Sequence, residues 1–325
     1  MSNVPILAWW LAIPLTSRTD THLSTYRHST MTITQVLIDG GTHGNELNGV
    51  ALVEKFQRHP ELIQRRHLQA HTLLASPMAI QHCQRYIDHD LNRCFAPKMA
   101  EQHPLSYEVK RASTIRAAFG PGGETPIDLC ISLHGTTANM GITLIVDQLE
   151  PFLLQLAAHL QSCYPHLKVY SSANSGRRQE ALRSIATYGV ALEIGPVAHG
   201  TLHAELFQRT EAVVHTILDA LAQPTLPAAG PLTLYQYVRP VHFPQDEAGR
   251  ILAMIHPQLQ FQDYRALHPG DPMLLTCDGE AIAFDGDTTL YPIFINEAAY
   301  YEKGIAMYLT QRQTQSIVPA SPGSD

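Results

Sequence analysis

The sequence has few of the features that identify secreted, membrane-spanning or nucleic-acid-binding proteins. Its five cysteines are odd in number, widely spaced and without a CxxC pair, so we expect neither a disulfide framework nor a thiolate zinc site. Only 22 lysines and arginines stand against 29 aspartates and glutamates, and the net charge of -7 argues against a nucleic-acid partner. The apolar run VPILAWWLAIPL is about a dozen residues long, shorter than the roughly 20 that a membrane helix requires. We therefore expect a cytoplasmic protein with no membrane partner.

The composition that remains is typical of a globular protein with a sizeable core. Hydrophobic residues make up 45% and charged residues 16% of the 325 positions. Eighteen histidines make metal ligation by imidazole worth examining. The first predicted strand begins just after Met31, so we expect residues 1–30 to be an N-terminal extension outside the fold.

The segment from residue 33 to about 222 alternates short apolar runs with amphipathic stretches, the pattern of an α/β sheet with helices on its faces. The predicted strands are ITQVLIDG, HTLLASP, DLCISLHG, ITLIVD and GVALEIGP. The spacing of apolar residues predicts one helix in YEVKRASTIRAAF, with Ser106 as its N-cap, and a second in ELFQRTEAVVHTILDALAQ.

A stretch rich in Pro, Ala and Gly, AQPTLPAAGPLT, separates this part from the rest of the chain. The runs that follow are β-branched and aromatic, and turn signals such as HPGDP interrupt them, which predicts a small, mainly antiparallel β domain. We therefore predict a catalytic domain at 31–223 and a β-rich C-terminal domain at 232–315.

Polar residues with metal-ligand chemistry follow three of the predicted strands. His43 and Glu46 lie in the Gly-rich turn GGTHGNELNG, His134 follows DLCIS, and Glu193 lies within VALEIGP. Ligands of open α/β sheets bind at the carboxyl ends of the strands. Two imidazoles and one carboxylate, with a fourth position for water, are the ligand set of a hydrolytic zinc site. A further carboxylate there, Glu193, is suited to move the proton of a water molecule.

Each of these residues also has an ordinary structural interpretation. His43 can cap the turn, Glu46 can lie in the first turn of a helix where the dipole favours a carboxylate, and His134 can be a core histidine. Their common position at the ends of separate strands favours the metal site.

A second polar cluster lies in RYIDHDLNRCF, which contains Arg85, Asn92 and Arg93 among two aspartates. Arginine binds carboxylates through two parallel hydrogen bonds, so the cluster suits an anionic substrate or a developing oxyanion. Alternatively, the arginines pair with Asp88 and Asp90 on the surface. The local sequence leaves both interpretations open.

With these residues collected, the chain resembles the aspartoacylase and aminoacylase-3 family of zinc amidohydrolases, which are related to the zinc carboxypeptidases and the succinylglutamate desuccinylases. The resemblance runs in order from about residue 33 to residue 303. The segments that carry it are GGTHGNELNGV, RYIDHDLNRCF, LSYEVKRA, LHGTTANMG, RSIATYGVALEIGP, IHPQLQFQDYRALHPGDPM and LYPIFINEAAYYEK.

The resemblance implies a zinc-carboxypeptidase-like mixed sheet flanked by helices, with a smaller C-terminal mainly-β domain that narrows the active-site cleft. It also implies one Zn²⁺ per subunit and self-association into a homo-oligomer. The residues that match family positions are the zinc ligands His43, Glu46 and His134, the general acid/base Glu193, the carbonyl-polarising Arg85, the substrate-carboxylate pair Asn92 and Arg93, the substrate-binding Tyr300, and Arg183 for the aspartate side chain.

Three positions depart from the family pattern. Ser132 stands where relatives carry an aspartate two residues before the zinc histidine, which would remove a carboxylate that supports the site. Gln179 and Gly304 stand where aspartoacylase has a tyrosine and a lysine that help to hold the side-chain carboxylate. Arg183, with Lys303 nearby as a substitute cation, would then select the acidic side chain.

We therefore expect a zinc-dependent hydrolase that deacetylates N-acetyl-L-aspartate to L-aspartate and acetate. One alternative is an aminoacylase-3-like deacylase of N-acetyl aromatic or S-conjugated amino acids, which Gln179 and Gly304 keep open. A second alternative is a catalytically inactive binding protein, which only Ser132 favours.

Overall fold

The computed structural model describes residues 32–227 and 230–317. The predicted N-terminal extension, residues 1–30, lies outside the described residues. Within the described part of the chain, no helix is both long enough and apolar enough to span a membrane.

A nine-stranded mixed sheet and a separate three-stranded sheet contain all the strands described. The strand order is β11-β12-β7-β5-β4-β6-β3-β1-β2 in the large sheet and β10-β9-β8 in the small one. The strands are β1 (Gln35–Gly40), β2 (Gln69–Leu74), β3 (Leu129–Gly135), β4 (Gly141–Val146), β5 (Lys168–Ser171), β6 (Tyr188–Gly195), β7 (Leu232–His242), β8 (Ala253–Ile255), β9 (Pro272–Thr276), β10 (Ala281–Ala283), β11 (Tyr291–Ile293) and β12 (Ile305–Gln315).

Helices cover both faces of the large sheet. They are α1 (Leu47–Arg58), α2 (Pro77–Gln81), α3 (Pro97–Gln102), α4 (Tyr107–Phe119), α5 (Pro151–Cys163) and α6 (Ala204–Leu221). Apolar residues of α1, α5 and α6 pack in one core against one face, and apolar residues of α4 pack in another core against the opposite face. Burial on both faces explains why β3 is apolar along most of its length, with all seven residues buried.

The pleat of β3 assigns its residues to the two faces in alternation. Leu129, Ile131 and Leu133 belong to the core that includes α1, α5 and α6, whereas Cys130 belongs to the core beneath α4. The side chain of His134 therefore lies on the α4 face, away from the larger core. The face on which the polar residues converge is thus fixed by the twofold period of the strand.

The predicted mixed sheet with flanking helices and a smaller C-terminal mainly-β part is confirmed. The helix predicted after Ser106 is α4, and the Ser106 hydroxyl accepts a hydrogen bond from the backbone N–H of Val109 at 3.3 Å. The sequence pattern did not predict α5, because this helix is apolar around much of its circumference. It did not predict β12 either, because the second half of this strand is polar.

The C-terminal strands also occupy a place that the sequence did not indicate. β7 pairs in parallel with β5, β12 pairs with β7, and β11 pairs with β12, so three strands from this part of the chain extend the large sheet. Only β8, β9 and β10 form a sheet of their own. Residues near the ends of β11 and β12 are thereby brought to the same sheet as His134.

The segment that carries the arginine cluster is fixed by a buried carboxylate on α4. Glu108 is fully buried and accepts hydrogen bonds from the backbone N–H groups of Ile87, Asp88 and His89 at 2.7, 3.1 and 3.0 Å. Removing a buried acceptor leaves its donors without partners, which is costly. Glu108 thus ties the loop after β2 to the sheet face that carries the polar site.

We predict that Glu108→Ala lowers the free energy of unfolding by about 3 kcal/mol, because three partly buried N–H groups lose their common acceptor. Urea denaturation followed by circular dichroism measures the change. Glu101→Ala is the matched control, because Glu101 is exposed and should shift the free energy by less than about 0.5 kcal/mol. Equal effects of the two substitutions would contradict the anchoring role of Glu108.

Candidate active site

The polar residues meet at the carboxyl ends of three parallel strands. β1 runs parallel to β3, and β3 runs parallel to β6, so the turn after β1 lies beside the ends of β3 and β6. His134 and Glu193 are direct register partners on β3 and β6, and their side chains therefore leave the sheet on the same face. The sheet register places these two groups side by side.

The Gly-rich turn after β1 needs glycine for two separate reasons. Gly41 has a φ of +70°, a conformation that side chains with a Cβ rarely adopt. A Cβ on Gly44 would lie 2.0 Å from the backbone of Ala79, so this position must approach α2 closely. The tight turn allows α1 to begin at Leu47, directly after Glu46.

His43, Glu46 and His134 form a compact, buried group. Nδ1 of His43 lies 2.6 Å from Oε1 of Glu46, and Nδ1 of His134 lies 2.9 Å from Oε2 of the same carboxylate. One ligand atom from each residue lies within 4.8 Å of the others, and each residue is about 95% buried. Two imidazoles and a carboxylate at this separation fit a zinc ion.

Outer contacts orient both histidine rings. The other ring nitrogen of His43, Nε2, lies 3.0 Å from Oδ1 of Asp90, and Nε2 of His134 lies 3.2 Å from Nδ2 of Asn92. Metal-binding histidines commonly hold a carboxylate on the second nitrogen, which fixes the ring and raises its basicity. The sequence analysis did not predict Asp90 as a site residue. Its position between Arg85 and Asn92 in RYIDHDLNR could have indicated it.

Asp90 is a buried partner of His43 and Arg85 and not the surface residue that the alternative interpretation of the cluster assumed. Burial by itself favours the protonated form, but the charges of His43, Arg85 and Arg93 hold the pKa of Asp90 well below its ordinary value. Asp88, by contrast, is exposed and accepts from the backbone N–H of Tyr107.

A carboxyl group lies beside Ser132, although the aspartate that relatives carry at this position is absent. Its hydroxyl donates a 2.6 Å hydrogen bond to Asp39, which is its register partner on β1. Asp39 is fully buried and also accepts from the Thr42 hydroxyl at 3.0 Å. An acidic group from the neighbouring strand therefore stands beside position 132.

Glu193 faces the cavity from β6 and is about 91% buried. No described side chain donates a hydrogen bond to its carboxylate. Burial, reinforced by the charges of Glu46 and Glu297, raises the pKa of Glu193 well above its ordinary value. Because its pKa is raised, the Glu193 carboxylate binds a proton more readily than an ordinary glutamate does.

One cavity contains all nine residues that the sequence indicated as site residues. Its lining includes His43, Glu46, Arg85, Asn92, Arg93, His134, Arg183, Glu193 and Tyr300. Arg85 contacts one of the metal ligands, because it lies 3.2 Å from Glu46, and it also lies 3.3 Å from Asp90. Its Nε atom is buried and has no hydrogen-bond partner among the described residues.

Arg183 lies in the cavity but already holds a carboxylate of the protein. Its Nε and Nη2 atoms donate to the two oxygens of Asp147 at 2.5 and 2.8 Å. Both members of this pair are largely buried. The family resemblance assigned Arg183 to the side-chain carboxylate of the substrate. In the structure, Asp147 already balances the charge of Arg183.

Glu297 joins the segment that carries Tyr300 to the loop after β3. Its carboxylate accepts from the Thr136 hydroxyl, from the backbone N–H of Thr137 at 2.7 Å and from that of Ala299 at 3.0 Å. Tyr300 follows in a short 3₁₀ helix, Ala298–Lys303, and lines the cavity.

Gln179 and Gly304, the remaining departures from the family pattern, do not line the cavity. Gln179 is exposed. Gly304 ends the 3₁₀ helix with a φ of +62°, and a Cβ there would meet the side chain of Gln245 at 2.4 Å. Lys303, the suggested substitute cation, faces Asp90 at 3.9 Å and Glu302 at 3.8 Å.

The cavity also has an aromatic wall that the sequence did not indicate. Four rings besides Tyr300 line it, from Tyr170, Tyr237, Phe294 and Tyr308. Tyr237 and Tyr308 come from β7 and β12, and their distance from the other site residues along the chain hides the association. Arg177, which also lines the cavity, was missed for the same reason.

Sequence comparison places both parts of the chain in one family. Residues 32–221 match the family model described as the succinylglutamate desuccinylase/aspartoacylase catalytic domain. Residues 230–312 match the AstE/AspA barrel-sandwich hybrid domain.

Individual relatives agree with this match. A probable aspartoacylase of Nostoc sp. is 48% identical over 86% of this chain and 97% of the relative. An N-acyl-aromatic-L-amino acid amidohydrolase (carboxylate-forming) of Homo sapiens is 41% identical over 89% of this chain and 93% of the relative. The crystal structure of murine aminoacylase 3 superimposes with a TM-score of 0.82 at 36% identity, covering 89% of this chain and 98% of that one.

We predict that Asp90→Asn raises the dissociation constant for zinc by about 10- to 100-fold, because His43 loses the charged acceptor that orients its ring. Competition with a chromogenic chelator measures the constant. Asp88→Asn, two residues away and exposed, should leave it unchanged. An unaltered zinc affinity in a correctly folded Asp90→Asn protein would remove Asp90 from the metal centre.

Proposed function

The chain belongs to the succinylglutamate desuccinylase/aspartoacylase family, and we propose that it is a zinc-dependent enzyme that deacetylates N-acetyl-L-aspartate to L-aspartate and acetate. Its relatives are amidohydrolases, and it is a hydrolase that acts on amide bonds of N-acyl amino acids. The observation that carries the proposal is the buried group of His43, Glu46 and His134 beside Glu193, in a cavity shared with Arg85.

His43, Glu46 and His134 would hold the zinc ion. When bound, zinc polarises a carbonyl oxygen and makes water more acidic. The chain offers a fitting donor set for it, because the two Nδ1 atoms already converge on one carboxylate.

Glu193 is proposed as the general acid/base. It stands next to His134 across the sheet register, and no described side chain occupies its carboxylate. It can therefore take a proton from water and return it to the departing amine nitrogen, as a positioned carboxylate does in general acid/base catalysis.

Arg85 is proposed to stabilise the negative charge that develops on the scissile carbonyl oxygen. Its buried Nε has no partner among the described residues, so a donor is free to face the substrate. Asn92 and Arg93 are proposed to bind the α-carboxylate, with the Tyr300 hydroxyl as a further contact. All four residues line the cavity together with the metal ligands.

We predict that Glu193→Ala retains zinc but lowers kcat by at least about 1000-fold, because the proton loses its carrier. Elemental analysis of the purified protein gives the zinc content, and a coupled aspartate assay gives kcat. Glu46→Ala is the contrasting variant, since it should lose the metal as well as turnover. Normal turnover by Glu193→Ala would exclude this residue from the mechanism.

A second candidate function is deacylation of N-acetyl aromatic or S-conjugated amino acids. The aromatic wall formed by Tyr170, Tyr237, Phe294 and Tyr308 favours it, because such rings would pack against an apolar side chain. The human relative named above is an amidohydrolase of N-acyl-aromatic amino acids. The cavity also contains four arginines, and an arginine whose charge is not balanced by a protein carboxylate favours the dicarboxylic substrate.

We predict that kcat/KM for N-acetyl-L-aspartate exceeds that for N-acetyl-L-phenylalanine by at least about 10-fold, since one charge-assisted contact contributes about 1.5–3 kcal/mol. Progress curves with both substrates, before and after treatment with a chelator, measure the ratio and its metal dependence. Added zinc should restore the activity that the chelator removes. A ratio below one would favour the second candidate function.

The third interpretation, an inactive binding protein, is not supported. Its only basis was Ser132, and Asp39 supplies a carboxylate beside that position. A cytoplasmic location, one zinc per subunit, self-association and the domain bounds 31–223 and 232–315 remain part of the proposal.

A further inference from the structure

The cavity extends along the sheet face, away from the metal ligands. β4 runs antiparallel to β6, with Val146 opposite Val190, so Asp147 lies toward the start of β6 while Glu193 lies toward its end. At 3.3 Å per residue the two levels are about 13 Å apart. An N-acyl amino acid that extends from the metal end along this cavity would bring its side chain toward the region of Asp147.

Four arginines line this cavity, and three of them face carboxylates of the protein. Arg85 contacts Glu46 and Asp90, and Arg93 lies 3.5 Å from Glu180. Arg183 donates to both oxygens of Asp147.

The fourth arginine, Arg177, is different. Its Nη1 atom donates to the hydroxyl of Tyr308 at 2.9 Å, and its guanidinium carbon lies 5.9 Å from the centre of the Tyr308 ring. Within residues 32–227 and 230–317, no carboxylate oxygen lies within 4.0 Å of it. Glu180 attracts Arg177 from a greater distance and lies nearer to Arg93, so Arg177 is the one arginine of the cavity that has no carboxylate within 4.0 Å among the described residues.

Aromatic contacts connect Arg177 to the residue proposed to touch the substrate. The ring of Tyr308 lies 5.3 Å from that of Tyr300, and Tyr308 is buried while Tyr300 is half-buried. One hydrogen bond and the ring face of Tyr308 hold the guanidinium on the cavity wall while several of its N–H donors stay available.

We propose that Arg177 is the specificity-determining residue that binds an acidic side chain of the substrate, with Tyr308 as its positioning residue. This inference rests on the proposed N-acyl-amino-acid hydrolase function and names the group that selects among its substrates. Arg183 is less suited to the task, because a carboxylate that approaches it also approaches Asp147, and the two negative charges repel each other. Arg177 offers a partner of opposite sign without that repulsion.

The test compares N-acetyl-L-aspartate with N-acetyl-L-asparagine, which has nearly the same shape but a neutral side chain. Arg177→Met should lower the aspartate-to-asparagine ratio of kcat/KM by about 10- to 100-fold, which corresponds to the loss of one charge-assisted contact. The ratio for Arg177→Lys should lie between those of the wild type and Arg177→Met, because lysine keeps the charge but loses the planar fork. Arg178→Met is the matched control, since Arg178 is exposed, does not line the cavity and should leave the ratio unchanged.

Two kinetic outcomes would overturn the inference. If Arg177→Met reduces turnover of both substrates equally, Arg177 supports the cavity and does not select the side chain. If the ratio is unchanged, another group binds the carboxylate. A selective rise in KM for the aspartate substrate, with kcat for the asparagine substrate preserved, supports the assignment.

Binding measurements separate this inference from the proposed function. If the wild-type protein hydrolyses no N-acyl amino acid, the proposed function fails, and calorimetry with L-aspartate and L-asparagine still tests Arg177. Tighter binding of L-aspartate by the wild type, lost in Arg177→Met and kept in Arg178→Met, supports the inference. Equal or absent binding of the two amino acids by the wild type overturns it.

Discussion

The site depends on the distribution of charge around one buried carboxylate. Glu46 lies between two imidazoles and within 3.2 Å of Arg85, and a buried carboxylate is stable only when such partners are present. Each partner is in turn held by a second group, since Asp90 contacts both His43 and Arg85, and Asn92 contacts His134. The result is an array in which the charges of the cavity balance each other. A metal ion fits into this array with its ligands already oriented.

The sheet makes this array compatible with a stable core. On β3 and β6 the residues alternate between the two faces, so apolar side chains fill the core beneath α1, α5 and α6 while His134 and Glu193 stand on the opposite face. The same two strands thus supply both packing energy and chemistry. Glu108, on the helix that covers the polar face, fixes the loop that brings Arg85 and Asp90 to the metal ligands. The residues of the site are therefore held in position by strands and a helix that are themselves well packed.

The outer part of the cavity has a different origin. Strands β7, β11 and β12 join the edge of the large sheet, and the rings of Tyr237 and Tyr308 reach the cavity from there. The end proposed for catalysis is formed by His43, Glu46, His134 and Glu193, whereas the end proposed to face the substrate side chain combines Asp147, Arg177 and Tyr308. The substrate preference can therefore change without a change in the metal ligands, because the two ends of the cavity share few side chains.

The sequence by itself determined the alternation of strands and helices and the metal-ligand group, because these follow from local periodicity and from the rule that polar groups collect at strand ends. It also indicated Arg85, Asn92 and Arg93 through one short segment. Only the tertiary structure decided which charge meets which partner. Arg183 meets Asp147 across 36 residues, and Arg177 meets Tyr308 across 131. Such pairs depend on which strands become neighbours, and local sequence contains little information about long-range pairing, so the free arginine could be recognised only in the folded chain.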